Sequence, residues 1–164
     1  MTHILTEIQL GQAMSKSMIG SIVLVPVSAM AGADPIPDAG KWYREAYAPL
    51  WAENPAQHIE ALLGFYAETV ETHAAEGGVS REDRRAWLAT PMVEWAAEGW
   101  VRSELTALQV DQLNAATASF KASWMDYYQS AEPEKTCGWY LANWMDGRWQ
   151  FTTYTDIDCA QHGL

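Results

Sequence analysis

Tyr140-Leu-Ala-Asn-Trp-Met-Asp-Gly-Arg-Trp-Gln-Phe-Thr-Thr153 is the stretch whose reading decides the fold. It sets an Asp-Gly pair between two aromatic-rich runs. That pairing is the strongest short-range signal for a β-hairpin, because a two-residue turn of this kind needs φ > 0 at both central positions. With Asp146-Gly147 as the turn, Trp144 faces Trp149, Ala142 faces Phe151 and Tyr140 faces Thr153, all on one side of the ladder. Leu141, Asn143, Gln150 and Thr152 take the other side. The same register puts Cys137 opposite Asp156, three residues short of Cys159, so a regular ladder would not bridge the cysteines. The chain after Ile157 is expected to leave the strand, and a turn there would bring Cys159 back. In an oxidising compartment a Cys137–Cys159 disulfide is therefore expected.

Upstream of the hairpin, Glu104–Leu113, Ala116–Tyr128 and Thr136–Trp144 alternate loosely, and Arg148–Ile157 closes a meander of antiparallel strands. Before Val101 the period is helical. Asp38 can cap a helix whose stripe is Trp42, Tyr43, Ala46, Tyr47, Leu50 and Trp51, with a kink at Pro49. Asn54-Pro55 restarts the chain as N-cap and first helical residue, and Ile59, Leu62, Leu63 and Tyr66 form the buried face of a second helix. Thr69–His73 is β-branched and short, a strand ended by the turn at Gly77-Gly78. Ser80-Arg-Glu-Asp83 resembles a capping box at the head of a third helix, kinked at Pro91 and stopped at Gly99. Three helices with a strand among them, followed by a meander, make an α+β chain rather than a βαβ one.

At 164 residues, 49% of them hydrophobic, with nine Trp, seven Tyr and three Phe, the chain is sized for one domain with an ample core. Ten Lys+Arg against 21 Asp+Glu give a formal net charge of −11. A field of that sign repels phosphate backbones and anionic headgroups, which argues against nucleic acid and membrane surfaces as partners. Residues 1–31 have a different character. Lys16 precedes the apolar run Met18–Val27, and Ala29-Met30-Ala31 has the small-residue pattern of a cleavage site. This is the order of a secretory signal peptide, starting naturally at Met14, and the run is shorter than the roughly 20 residues of a transmembrane helix. The expected organisation is a signal at 1–31, a lead-in at 32–37, a domain at 38–160 and a tail at 161–164, in a periplasmic or secreted protein.

Two segments carry a family resemblance. Ala61-Leu-Leu-Gly-Phe-Tyr-Ala-Glu-Thr-Val70 and Asp146-Gly-Arg-Trp-Gln-Phe151 resemble the helix-to-first-strand passage and the last hairpin of the nuclear transport factor 2-like superfamily, whose members include ketosteroid isomerase and polyketide-cyclase-like proteins. The resemblance spans about Asp38 to Asp158. It implies a cystatin-like cone, with three N-terminal helices packed on a strongly curved antiparallel sheet, a pocket between them and dimerisation through the sheet. The isomerase chemistry does not carry over. Aligned without gaps on Asn54 and Phe65, the general-base carboxylate falls on Ala74 and the oxygen-polarising tyrosine on Pro49. Enolisation needs both groups. His73 is one position away, and in a strand the neighbouring residue points to the opposite face. The histidines that many relatives carry after the Phe151 position are here Thr153 and Thr155.

Asp156-Ile-Asp158 with His162 could be read as a hard-metal site, but acids near a chain terminus are commonly solvated, and no metal or other cofactor is expected. Gly-rich phosphate loops, Gly-x-Ser-x-Gly elbows and His-Glu-x-x-His helices are not found in the sequence. The tryptophans leave two readings open. In one they line an aromatic pocket for a small, mainly apolar ligand; in the other they form a sheet-face patch buried in a dimer or against an envelope protein. For the first, the expected lining is Tyr43, Trp51, His73, Trp95 and Tyr140, with Trp144 or Phe151 at the floor. A third reading is a lyase or isomerase with His73 as base.

Overall fold

The computed structural model describes residues 35–53, 55–74 and 77–164. The expected signal segment, the first residues of the lead-in and the Asn54 cap lie outside the described residues. Asp38 caps α1 (Ala39–Trp42), its Oδ1 accepting from the Lys41 amide at 2.6 Å. The helix then widens into a π-helical stretch, Tyr43–Tyr47, before α2 (Pro49–Ala52). Pro49 has no N–H and its ring would collide with the carbonyl four residues earlier. One wider turn relieves both conflicts, and the Ala48 amide reaches back five residues to the Tyr43 carbonyl at 2.9 Å.

A short 3-10 turn, Pro55–His58, leads into α3 (Ile59–Leu63). The helix ends at Gly64, so Tyr66 belongs not to its buried face but to β1 (Tyr66–His73), which starts three residues before the expected Thr69. Long-range pairing explains the early start: the Phe151 amide donates to the Phe65 carbonyl at 2.8 Å. Gly77 and Gly78, both at positive φ, turn the chain into β2 (Val79–Asp83), which pairs antiparallel with β1. Ser80–Asp83 is thus a strand and not the first turn of a helix, because the ladder with β1 outweighs the local capping pattern. The cap is Asp83 instead. Its Oδ1 accepts from Arg85 and Ala86 amides at 2.9 and 3.4 Å and starts α4 (Arg84–Ala97), which runs through Pro91 and ends before Gly99 at φ +95°.

Four long strands follow: β3 (Trp100–Asn114), β4 (Thr117–Tyr128), β5 (Glu134–Met145) and β6 (Arg148–Asp156). The curved six-stranded sheet has the order β2-β1-β6-β5-β4-β3. Every neighbouring pair is antiparallel except β1 and β6, which run parallel, so the sheet is mixed and not wholly antiparallel. The hairpin turns at Asp146-Gly147, both at positive φ, and pairs Trp144 with Trp149 and Ala142 with Phe151. A bulge between Leu141 and Ala142 then shifts the register. Tyr140 faces Tyr154 rather than Thr153, and Tyr154 and Asp156 join its side of the sheet. The shift also sets Gly138 opposite Asp156, and the Ile157 amide donates to the Cys137 carbonyl at 3.0 Å. Cys137 and Cys159 are joined by a disulfide, their Cα atoms 5.4 Å apart.

The helices cover the inner face of the sheet, and the core between them is aromatic. Tyr43, Tyr47, Tyr66, Phe120, Trp149 and Phe151 are fully buried. The lead-in is tied across one end, where the Trp149 indole donates to the Pro37 carbonyl at 2.8 Å.

Candidate functional site

The other end of the inner face is not filled. A cavity of about 400 Å³ lies between α2, α4 and the sheet, within the size range of small-molecule sites. Strand alternation decides who lines it. On β4 the inward set runs Phe120, Ala122, Trp124, Asp126, Tyr128. The first two are buried in the core and the last three line the cavity. On β5 the set is Thr136, Gly138 and Tyr140, on β6 Tyr154 and Asp156, and on β1 Tyr66 and Thr72. Trp51 comes from α2, Trp87, Pro91 and Trp95 from α4, and Trp100 and Ser103 from β3.

Gly138 is required by this arrangement. A Cβ there would lie 2.7 Å from the Tyr154 ring, closer than carbon atoms approach, and 3.0 Å from the Tyr140 ring, a tight contact. The missing side chain is what lets the two phenols stand together, 5.0 Å between centroids.

Three of the lining residues have a polar atom sealed in the packing behind the wall without a hydrogen-bond partner: Trp51 Nε1, Trp124 Nε1 and the Thr72 hydroxyl. A fourth polar group, Asp126, is held by neutral donors. Ser103 Oγ donates to its Oδ1 and Thr136 Oγ1 to its Oδ2 at 2.8 Å, while Trp100 Nε1 donates to Ser103 Oγ at 3.1 Å. Tyr47 and Tyr66 share a hydrogen bond between their hydroxyls. Burial pushes the phenols of Tyr47, Tyr66, Tyr140 and Tyr154 well up from their ordinary value; for Tyr140 the facing Tyr43 hydroxyl and Trp124 indole, close by but short of hydrogen-bond geometry, pull partly the other way. The half-exposed Tyr128 at the mouth is raised by burial first, and then by the carboxylates of Asp126, Glu134 and Glu98.

Of the residues expected from sequence, Trp51, Trp95 and Tyr140 line the cavity together. Tyr43 is fully buried one layer behind, its ring centroid 5.9 Å from that of Tyr140. Phe151 is closed inside the core, and Trp144 packs edge-to-face against Trp149 beside the hairpin turn, so neither forms a cavity floor. His73 is placed outside. Its neighbour Thr72 takes the inward position, while His73 Nε2 meets Glu71 Oε1 at 2.8 Å on the exposed side of β1. Glu71 is also held by Arg81 at 2.7 Å, and Arg81 first and His73 second keep its carboxyl below the usual range. The terminal acids are engaged locally. Asp156 accepts from the Tyr154 hydroxyl, and Asp158 accepts from the Ala160 and Gln161 amides at 2.8 and 3.2 Å. Among the described residues no three His, Cys, Asp or Glu converge on a point.

Sequence reasoning missed Asp126, Ser103, Thr136, Trp87, Trp100, Trp124 and Tyr154 as lining residues. For Asp126 a signal existed: it continues the inward parity of Phe120, Ala122 and Trp124. For Tyr154 there was none, because its orientation follows from the bulge.

No family model matches the sequence, and no curated protein matches it. Solved structures do. An NTF-2-like protein of unknown function from Shewanella oneidensis superposes with a TM-score of 0.55 at 16% identity, over 70% of this chain and 93% of that one. An uncharacterised protein with a cystatin-like fold from Caulobacter vibrioides gives 0.55 at 14% identity, over 76% and 93%. A domain of unknown function with a cystatin-like fold from Nostoc punctiforme gives 0.54 at 15%, over 76% and 80%. At these identities the likeness is one of architecture, and this chain has the NTF-2-like, cystatin-like fold.

Proposed function

We propose that the chain is a small-molecule-binding domain whose ligand, largely apolar, occupies the aromatic cavity between α4 and the sheet. The observation that carries this reading is the open aromatic cavity itself, about 400 Å³ between α2, α4 and the sheet, walled by Trp51, Trp87, Trp95, Trp100, Trp124 and Tyr140. Three of the lining residues, Trp51, Trp124 and Thr72, also keep a buried polar atom without a hydrogen-bond partner, at a local cost of about 1–3 kcal/mol each. The reading is one of binding without an assigned reaction. His73 lies on the wrong face, and Ala74 and Pro49 supply no acid or base.

The segment Lys16–Ala31 and the Cys137–Cys159 pair both support an exported, periplasmic or secreted protein. A homodimer through the outer face of the sheet is supported by the half-buried Trp139, Leu141 and Met145. It is opposed by the polar lattice around them, in which Asn143 accepts from Thr117 and donates to Thr152, each at 3.0 Å. The pocket is therefore the preferred reading of the tryptophans. Its test is a screen of hydrophobic small molecules by tryptophan fluorescence on the exported protein. Saturable changes, lost on filling the cavity with Gly138→Val, are expected. If no molecule perturbs the fluorescence or raises the melting temperature, the reading fails.

A further inference from the structure

Resting on that reading and deepening it, we propose that the ligand is an organic cation, an amine or quaternary ammonium, seated between the tryptophans of the cavity and Asp126.

Four indoles form a continuous, mutually tilted wall. Trp95 lies 5.8 Å from Trp100 at 72°, Trp100 lies 6.1 Å from Trp51 at 62°, and Trp51 lies 6.3 Å from Trp124 at 57°. Rings tilted this way present several faces to one volume. A cation over an indole face is attracted by the ring quadrupole, and aromatic cages of this composition are a recurring solution for ammonium groups. A neutral apolar ligand would need the area of these rings but not what stands beside them.

Beside them stands Asp126, attached to the same wall through Ser103, which links the Trp100 indole to the carboxylate. Each carboxylate oxygen accepts one hydroxyl and has room for a further donor. Among the described residues the cavity wall contains no lysine, arginine or histidine. The nearby bases are turned away. Arg102 pairs with Glu104 and lies over the Tyr127 ring at 4.0 Å, on the side opposite Ser103 and Asp126, and Lys135 donates to the Leu164 carbonyl at 2.7 Å. Asp156 is a second acid in the wall, and Glu98 and Glu134 act on Tyr128 at the mouth. The formal net charge of −11 adds a long-range field of the same sign. Carboxylates and indole faces without a protein cation leave the positive charge to the occupant.

The test uses benzyltrimethylammonium and its neutral carbon isostere neopentylbenzene, which differ in charge and hardly in shape, titrated at low salt by tryptophan fluorescence. The cation is expected to bind about tenfold more tightly, with the advantage shrinking as salt rises. Asp126→Asn should weaken the cation about tenfold and leave neopentylbenzene unchanged. Trp95→Leu, at the rim, should narrow the preference without touching the core. Equal binding of the two probes by the unmodified protein, or a preference untouched by both variants, overturns the proposal while the cavity reading stands. If neither probe binds, both fall together.

Discussion

The two ends of the inner sheet face are built from the same strands and the same residue types, yet one is a core and the other a cavity. At the hairpin end, Phe120, Ala142, Trp149 and Phe151 are sealed beneath Trp42 and Tyr43, with Trp42 and Phe151 5.0 Å apart. At the other end, Trp124, Asp126, Tyr128, Gly138 and Tyr154 face open space. Aromatic content does not separate them. Polar accounting does so in part: the closed-end indole of Trp149 finds the Pro37 carbonyl, whereas of the open-end indoles Trp100 finds Ser103 and those of Trp51 and Trp124 find nothing. Tyr43, whose hydroxyl is also unpartnered, sits at the boundary facing Tyr140. An aromatic cluster becomes a candidate site where its polar atoms remain unsatisfied.

The largest effect should come from the phenols that straddle the two ends. Burial raises the pKa of Tyr43, Tyr47, Tyr66, Tyr140 and Tyr154. Unfolded phenols ionise near pH 10, so above that pH the unfolded state binds fewer protons than the folded one. The stabilisation is full below about pH 10 and is lost as pH rises beyond it. The melting temperature should fall steeply on the alkaline side, with tyrosinate absorbance rising together with unfolding. Phenols titrating near pH 10 in a protein that remains folded would mean that water reaches both ends.

Deleting one aromatic at each end tests the contrast directly. Phe151→Ala should cost about 3–5 kcal/mol in urea unfolding, the penalty of a large cavity in a sealed core. Trp95→Ala, at a rim residue 41% exposed, should stay within about 1 kcal/mol. Similar losses would erase the distinction between core and rim. Gly138→Ala is a smaller change with a specific site. Its Cβ would press on the Tyr154 and Tyr140 rings, and about 1–3 kcal/mol of overpacking is expected, together with weaker ligand binding.

The hairpin, the long strands and the helix cap at Asp38 follow from local chemistry, and the sequence at those positions says so. Asp-Gly at 146–147 needs no tertiary context, and Pro49 distorts its helix whatever surrounds it. What was not legible depends on distant partners. β2 forms on Ser80–Asp83 only because β1 lies beside it, and the parallel pairing of β1 with β6 has no local signature. The bulge at Leu141–Ala142 had the widest consequence. By shifting one register it turned Tyr154 and Asp156 inward, and with them the whole β6 share of the wall. The expected lining erred toward the hairpin end for a related reason: Trp144 and Phe151 share a face with Tyr140, but a shared face does not tell how far along it the packing stays closed.

The smallest expected effect is at His73, and it bears on the strand parity from which the wall was assigned. The imidazole is exposed and shares Glu71 with Arg81, so removing it leaves the carboxylate its stronger partner. Exposed pairs of this kind contribute little, and His73→Ala should change stability by no more than about 0.5 kcal/mol. Ligand affinity should not move, because Thr72 and not His73 holds the inward position on β1. Thr72→Val is the companion measurement. It replaces a buried, unpartnered hydroxyl with a methyl group of nearly the same size, and a ligand that uses that hydroxyl should lose about 1 kcal/mol of binding. The opposite pattern, with affinity lost on His73→Ala and kept on Thr72→Val, would mean that β1 turns its other face to the cavity. The histidine would then belong in the wall, and the absence of a cationic group from it would no longer hold.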